Sequence, residues 1–335
     1  MHAGRYKWPV LNLFGNTYNL SALLSLGYIG VEIFFAISGF CLAYPILKAG
    51  WGETDWMLYA KRRLLRIVPT YWIAFALLAV TVGEHPRSLR YALEGMFFFN
   101  TQVNASFWTL CVEARWYILL PILIWILFRF GWGVLLSLSL VACISSKILF
   151  RFDEPVLRWL NDSLGVLPYF LLAFVLGIAT AWLFLQQNSG SSIIKTLIRN
   201  VRVVTVLAIV VVLIFTPKLP GSDFFPFSRL LPASLLGFSL VLLALFDPFI
   251  SRVLSWRPLT AIGVASYSIY LIHEPIVHAL FAVLHTSIWP QYLQFIFYQF
   301  AVLPFCVVVG SGFYLLAERP FVILGQQWLR TTSKQ

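Results

Sequence analysis

Residues 104–121 read NASFWTLCVEARWYILLP, and the rest of the chain is arranged around them. The stretch opens a strongly apolar run yet carries Glu113 and Arg115 inside it. At helical spacing Ser106, Thr109, Glu113 and Tyr117 stand at i, i+3, i+7 and i+11 and line one stripe. Arg115 lies roughly 200° around the helix from Glu113. The two charges therefore do not simply pair with each other; each needs another partner. An ionisable side chain within a membrane helix costs about 2.5–3.5 kcal/mol on insertion scales. Two of them in three residues point to a functional pocket; the plainer alternative is that both tie helices together or that the segment starts at the membrane interface.

The surrounding composition decides the class. The chain has 335 residues, 60% of them hydrophobic and only 11% charged, with a mean hydropathy of +0.84. That profile excludes a soluble domain and predicts an all-α, polytopic integral membrane bundle. Nine spans are expected, near residues 24–47, 66–83, 107–129, 133–149, 164–186, 201–216, 229–246, 259–284 and 292–317. Residues 1–335 form a single transmembrane domain, with no soluble domain left over and no internal repeat. In a soluble protein the net charge of +11 would suggest nucleic acid. Here the cations sit mostly in short loops, where they set orientation, so no nucleic-acid partner is expected. With residues 48–65 inside, Lys48, Lys61, Arg62, Arg63, Arg66, Arg129, Lys195, Arg199, Arg202, Arg252, Arg257, Arg319, Arg330 and Lys334 face the cytoplasm, against eight cations outside. The four cysteines fall inside apolar spans without paired spacing, and the five histidines show no ligand pattern. Neither a disulfide nor a metal site is expected.

Three further clusters could carry chemistry. In the first span, Glu32, Ala36, Gly39 and Ala43 form a stripe with Ser38 beside it, a seam small enough for close helix approach. Lys61-Arg62-Arg63-Leu64-Leu65-Arg66 places Arg63 and Arg66 on one face at the cytoplasmic edge. Such a cluster suits phosphates, or else it anchors the span on anionic lipid. In the eighth span Ser266, Tyr270 and His273 share one stripe, and Tyr267, Glu274 and His278 a second, beside a kink expected at Pro275. Glu318 could tie the last span to an arginine elsewhere, and Pro320 is read as that helix's end.

Taken together, GYIGVEIFFAISGF (27–40), KRRLLRIVPTYW (61–72), SFWTLCVEARWYILLP (106–121), SYSIYLIHEPI (266–276) and ERPF (318–321) resemble the acyltransferase 3 family of membrane-bound O-acyltransferases. The resemblance implies an all-helical protein, usually with ten core spans. It also implies transfer of an acyl group, commonly acetyl, from cytoplasmic acyl-CoA to a hydroxyl of a surface glycan or glycolipid. An exopolysaccharide or a lipopolysaccharide fits as acceptor, and a bacterial inner membrane as the location. The donor would be acetyl-CoA, with no metal; the other partners are the glycan and membrane lipids. The family's histidine, essential for activity, matches His2 here. The arginine that precedes it in the family has no counterpart after Met1, so an extra helix of about 20 apolar residues is expected upstream.

In that reading His2 is general base or acyl carrier, Glu113 or Glu32 orients the ring, and Arg115 or Ser106 stabilises the thioester oxyanion. Arg62, Arg63 and Arg66 suit the CoA phosphates. Ser38, Trp108, Tyr117, Tyr270 and His273 complete the substrate-binding set. A transporter or flippase of a lipid-linked sugar is the alternative, because intramembrane Glu, Arg and His are normal there too.

Overall fold

In the computed structural model, helices occupy the segments that hydropathy marks. The structure describes residues 10–13, 16–19, 29–81, 95–97, 105–149, 167–189, 191–215, 227–284 and 289–332. His2 lies outside them. Near the start a short antiparallel hairpin pairs β1 (Val10–Leu13) with β2 (Asn16–Asn19), which a purely helical expectation did not include. Helices α1 (Ile29–Ala49) and α2 (Trp56–Thr81) follow. A 3-10 turn (Ala105–Phe107) then leads into α3 (Trp108–Leu149). The chain continues through α4 (Leu167–Leu185), α5 (Ser192–Arg199), α6 (Val201–Phe215), α7 (Phe227–Phe246), α8 (Pro248–Leu254) and α9 (Arg257–Val283). The last helical run is α10 (Gln291–Phe297), a π turn (Tyr298–Val302), α11 (Leu303–Phe313), a second π turn (Tyr314–Glu318) and α12 (Arg319–Thr332).

Among the described residues, four helices are long and apolar enough to cross a membrane, and six if each of two bent pairs counts as one span. This is a helical, multi-pass membrane protein. The long α3 is interrupted at Gly131, whose φ of 82° is open chiefly to glycine, so residues 108–149 are two helices meeting at a break. The expected third and fourth spans part at this point. Pro320 does not end the last helix, contrary to expectation: α12 continues to Thr332. The preceding π turn widens the backbone just where the proline ring would otherwise meet the carbonyl four residues back.

Two compact units emerge. One holds the hairpin, α2, the start of α3 up to Tyr117, and α9 to α12; the other holds α1, the rest of α3, and α4 to α8. In the second unit the small-residue stripe of α1 meets α4. A Cβ on Gly39 would stand 2.2 Å from the Phe174 carbonyl oxygen, and one on Gly177 would stand 2.1 Å from that of Ala36. Phe35 and Phe170 stack beside this crossing with ring centroids 5.0 Å apart. Gly237 brings α7 near the backbone of Glu32 less tightly, an added Cβ standing 3.1 Å from its carbonyl oxygen. With little hydrophobic drive between helices in lipid, such close packing supplies the association energy. Gly177→Leu is therefore expected to destabilise the folded protein by about 2 kcal/mol or more, measured as a lowered thermal midpoint in detergent. Gly263→Ala, with nothing within 4 Å of the added carbon, should leave it unchanged.

Candidate active site

The polar stripe read from residues 106–117 lies in the first unit, between α2 and α9. Its upper end is the N-terminus of α3. Ser106 donates both its backbone N–H (2.7 Å) and its hydroxyl (2.6 Å) to Glu274 Oε2. Tyr270 donates its phenol to the Ser106 carbonyl at 2.8 Å, and Thr109 donates to the Tyr270 oxygen at 2.6 Å. Glu274 is 5% exposed, and Ser106 and Thr109 are buried. A carboxylate from another helix thus takes up the orphan donors and the positive end of the α3 dipole.

This start lies deep within the unit. Phe107 packs on Tyr71, ring centroids 5.1 Å apart, and α2 continues ten residues beyond Tyr71, about 15 Å. From Glu274, α9 continues nine residues, about 13 Å. Residues before α3 are tied to α2 as well: Tyr71 donates to the Gly95 carbonyl at 2.7 Å, and Trp72 Nε1 donates to that of Met96 at 3.0 Å.

One turn further along α3, Tyr117 donates its hydroxyl to Glu113 Oε1 at 2.6 Å. The ring of the same tyrosine lies 5.9 Å from the Arg63 guanidinium, which sits equally far from the Tyr59 ring. Tyr59 in turn donates to the Tyr117 carbonyl at 3.3 Å. Tyr117 therefore links the basic edge of α2 to a buried carboxylate. Arg66 goes elsewhere: its Nε lies 4.0 Å from Glu318 Oε1. Arg63 and Arg66, though three residues apart, have different partners. Arg62 is exposed, and Trp108 and Arg115 are half-buried.

On α9, His273 Nδ1 lies 2.7 Å from the Tyr270 carbonyl, which sets the proton on Nδ1. His278 Nε2 lies 3.7 Å from Glu274 Oε1. The helix runs through Pro275. Glu32 and Ser38 belong to the second unit, both buried. Among the described residues, no group of three or more His, Cys, Asp or Glu side chains could hold a metal. Sequence reasoning placed Glu274 on a polar stripe but missed its task of capping α3. The available signal was an acid beside a proline inside an apolar span.

Comparison with known proteins then fixes the family. The acyltransferase domain family matches residues 2–312. The chain is similar to the peptidoglycan O-acetyltransferase OatA of Listeria monocytogenes, 26% identical over 80% of this chain and 48% of that protein. It is also similar to the putative peptidoglycan O-acetyltransferase YrhL of Bacillus subtilis (23%, covering 92% and 54%) and to the O-acetyltransferase OatA of Staphylococcus aureus (24%, covering 78% and 48%). The chain thus spans about half the length of these relatives. No solved structure matches. With the match running over nearly the whole chain, the protein belongs to the acyltransferase 3 family.

Proposed function

We propose that this chain is an integral-membrane O-acyltransferase of the bacterial inner membrane, crossing it nine times as its apolar runs imply and moving acetyl from acetyl-CoA to a hydroxyl of a surface glycan. One observation carries most weight: Tyr117 joins Arg63 on one side to the buried Glu113 on the other. A phosphate-binding edge and a buried carboxylate are what a donor of CoA type and a hydroxyl acceptor require. The names of the relatives bring peptidoglycan forward as acceptor, ahead of an exopolysaccharide or a lipopolysaccharide.

In this reading the His2 imidazole takes the acceptor hydroxyl's proton while its oxygen attacks the thioester carbonyl. The C–S bond then breaks, and the imidazolium returns the proton to the leaving thiolate. Glu113 stabilises the imidazolium. Ser106 gives both its protons to Glu274, so the oxyanion donor is assigned to Arg115 rather than Ser106. Deleting the gene should remove O-acetyl groups from the host's surface glycan. The wild-type gene should restore them and a His2→Ala variant should not; an unchanged acetyl content on deletion contradicts the reading.

The basic edge gives a separate expectation. Replacing Arg63 and Arg66 together by Gln should weaken acetyl-CoA binding roughly tenfold or more, each charge-assisted phosphate contact being worth about 1.5–3 kcal/mol. Binding of acetyl-pantetheine, which lacks the nucleotide, should hardly change. Equal losses for both ligands would return the cluster to the role of a topology anchor.

A further inference from the structure

Glu318 is 1% exposed at the end of a long apolar helical run, a costly place for a carboxylate. The π turn Tyr314–Glu318 puts it there. The preceding Leu315 and Leu316 are 52% and 82% exposed, whereas Ala317 and Glu318 both turn inward. Single π turns inside helices recur at functional sites.

What Glu318 meets is specific. Ser268 on α9 donates its hydroxyl to Glu318 Oε2 at 2.6 Å. The other oxygen faces Arg66 Nε at 4.0 Å. Thr70, one turn along α2 from Arg66, donates to the Ala317 carbonyl at 3.4 Å. Further out, α12 stays against α2: Lys61 lies over the Trp328 ring at 5.2 Å, and Gly325 approaches Leu65. One oxygen of the carboxylate is thus fixed by a buried hydroxyl, and the other is aimed at the Nε edge of a guanidinium. The Arg66 side chain is still 52% exposed. A guanidinium whose Nε edge faces a carboxylate keeps its two Nη groups for a second, bidentate anion.

We propose that Glu318 positions Arg66 so that its Nη edge holds the phosphates of the acyl-CoA donor, an inference that rests on the donor assignment above. Glu318 touches no substrate; it acts through Arg66. A free arginine on a long stem would lose rotamer freedom on meeting phosphate, and a pre-set one does not.

The test is steady-state kinetics of the purified full chain in nanodiscs. Glu318→Gln keeps an acceptor for Ser268 but removes the charge facing Arg66. The expected result is a KM for acetyl-CoA raised roughly tenfold with kcat little changed, and an unaltered KM for acetyl-pantetheine. Ser268→Ala, which loosens Glu318 without removing it, should shift the same ratio in the same direction by less, and serves if Glu318→Gln does not fold. Equal effects on both donors, or none, overturn the positioning role. If Arg63→Gln with Arg66→Gln discriminates the donors and neither Glu318→Gln nor Ser268→Ala does, only this inference fails. If the arginine variant does not discriminate either, the donor assignment fails with it.

Discussion

Replacing Glu113 by Gln is expected to lower acyl transfer by about 10²–10⁴-fold, the range attributed to a group that serves acid–base catalysis. The change keeps the side chain's shape and leaves an oxygen to accept the Tyr117 hydroxyl, now at 2.6 Å from Oε1. Folding and insertion should therefore survive, and the loss should sit in kcat. The reason is electrostatic. A neutral amide cannot offset the imidazolium formed as the acceptor's proton leaves, and in a water-poor interior that offset is worth far more than in solution. Tyr117→Phe removes only one donor to the carboxylate and should cost much less. Activity of Glu113→Gln near the wild-type level would make the carboxylate a helix tie and nothing more.

The second large effect concerns stability. Glu274→Leu is expected to destabilise the first unit by about 3–5 kcal/mol, because it strips the Ser106 N–H and hydroxyl of their common acceptor inside the bundle. The α3 N-terminus would then carry unsatisfied donors at a buried position, where no bulk water replaces the carboxylate. Glu274→Gln, which retains a carbonyl oxygen, should lose less than half as much. Thermal midpoints of both variants in the same detergent decide it. Equal stability of wild type and Glu274→Leu would contradict the capping role.

Much of the architecture was legible because membrane helices follow from composition. Apolar runs mark α1, α4, α6, α7 and α11, and the small-residue stripe of α1 foretold a close helix crossing, which the structure makes with α4. The stripe Ser106, Thr109, Glu113 and Tyr117 was legible from helical spacing alone, and the structure joins Tyr117 to Glu113 and Thr109 to Tyr270. The link between Glu318 and an arginine was anticipated in kind; Arg66 is the residue found. What could not be read depends on contacts distant in sequence. Glu274 caps a helix 168 residues away, and periodicity carries no information about such a pairing. Nor does it show long-range ties: residues 84–106 read as one of the longest polar stretches, yet residues 95–96 and 105–107 are held against Tyr71, Trp72 and Glu274. Pro320 was misread because a local rule for α-helices does not anticipate a π turn immediately before it.

Release of free CoA from acetyl-CoA by the purified protein in nanodiscs, with a soluble muropeptide or oligosaccharide as acceptor, tests the enzymatic assignment most directly. The account predicts CoA release that scales with protein and acceptor, a matching O-acetyl ester on the acceptor, and loss of both in Glu113→Gln. The contrary result is acetyl-CoA neither bound nor consumed by folded protein, while a labelled lipid-linked sugar crosses the bilayer of proteoliposomes that contain it. That outcome would assign the buried Glu113 and the half-buried Arg115 and Tyr270 to a transport path instead of an acyl-transfer site.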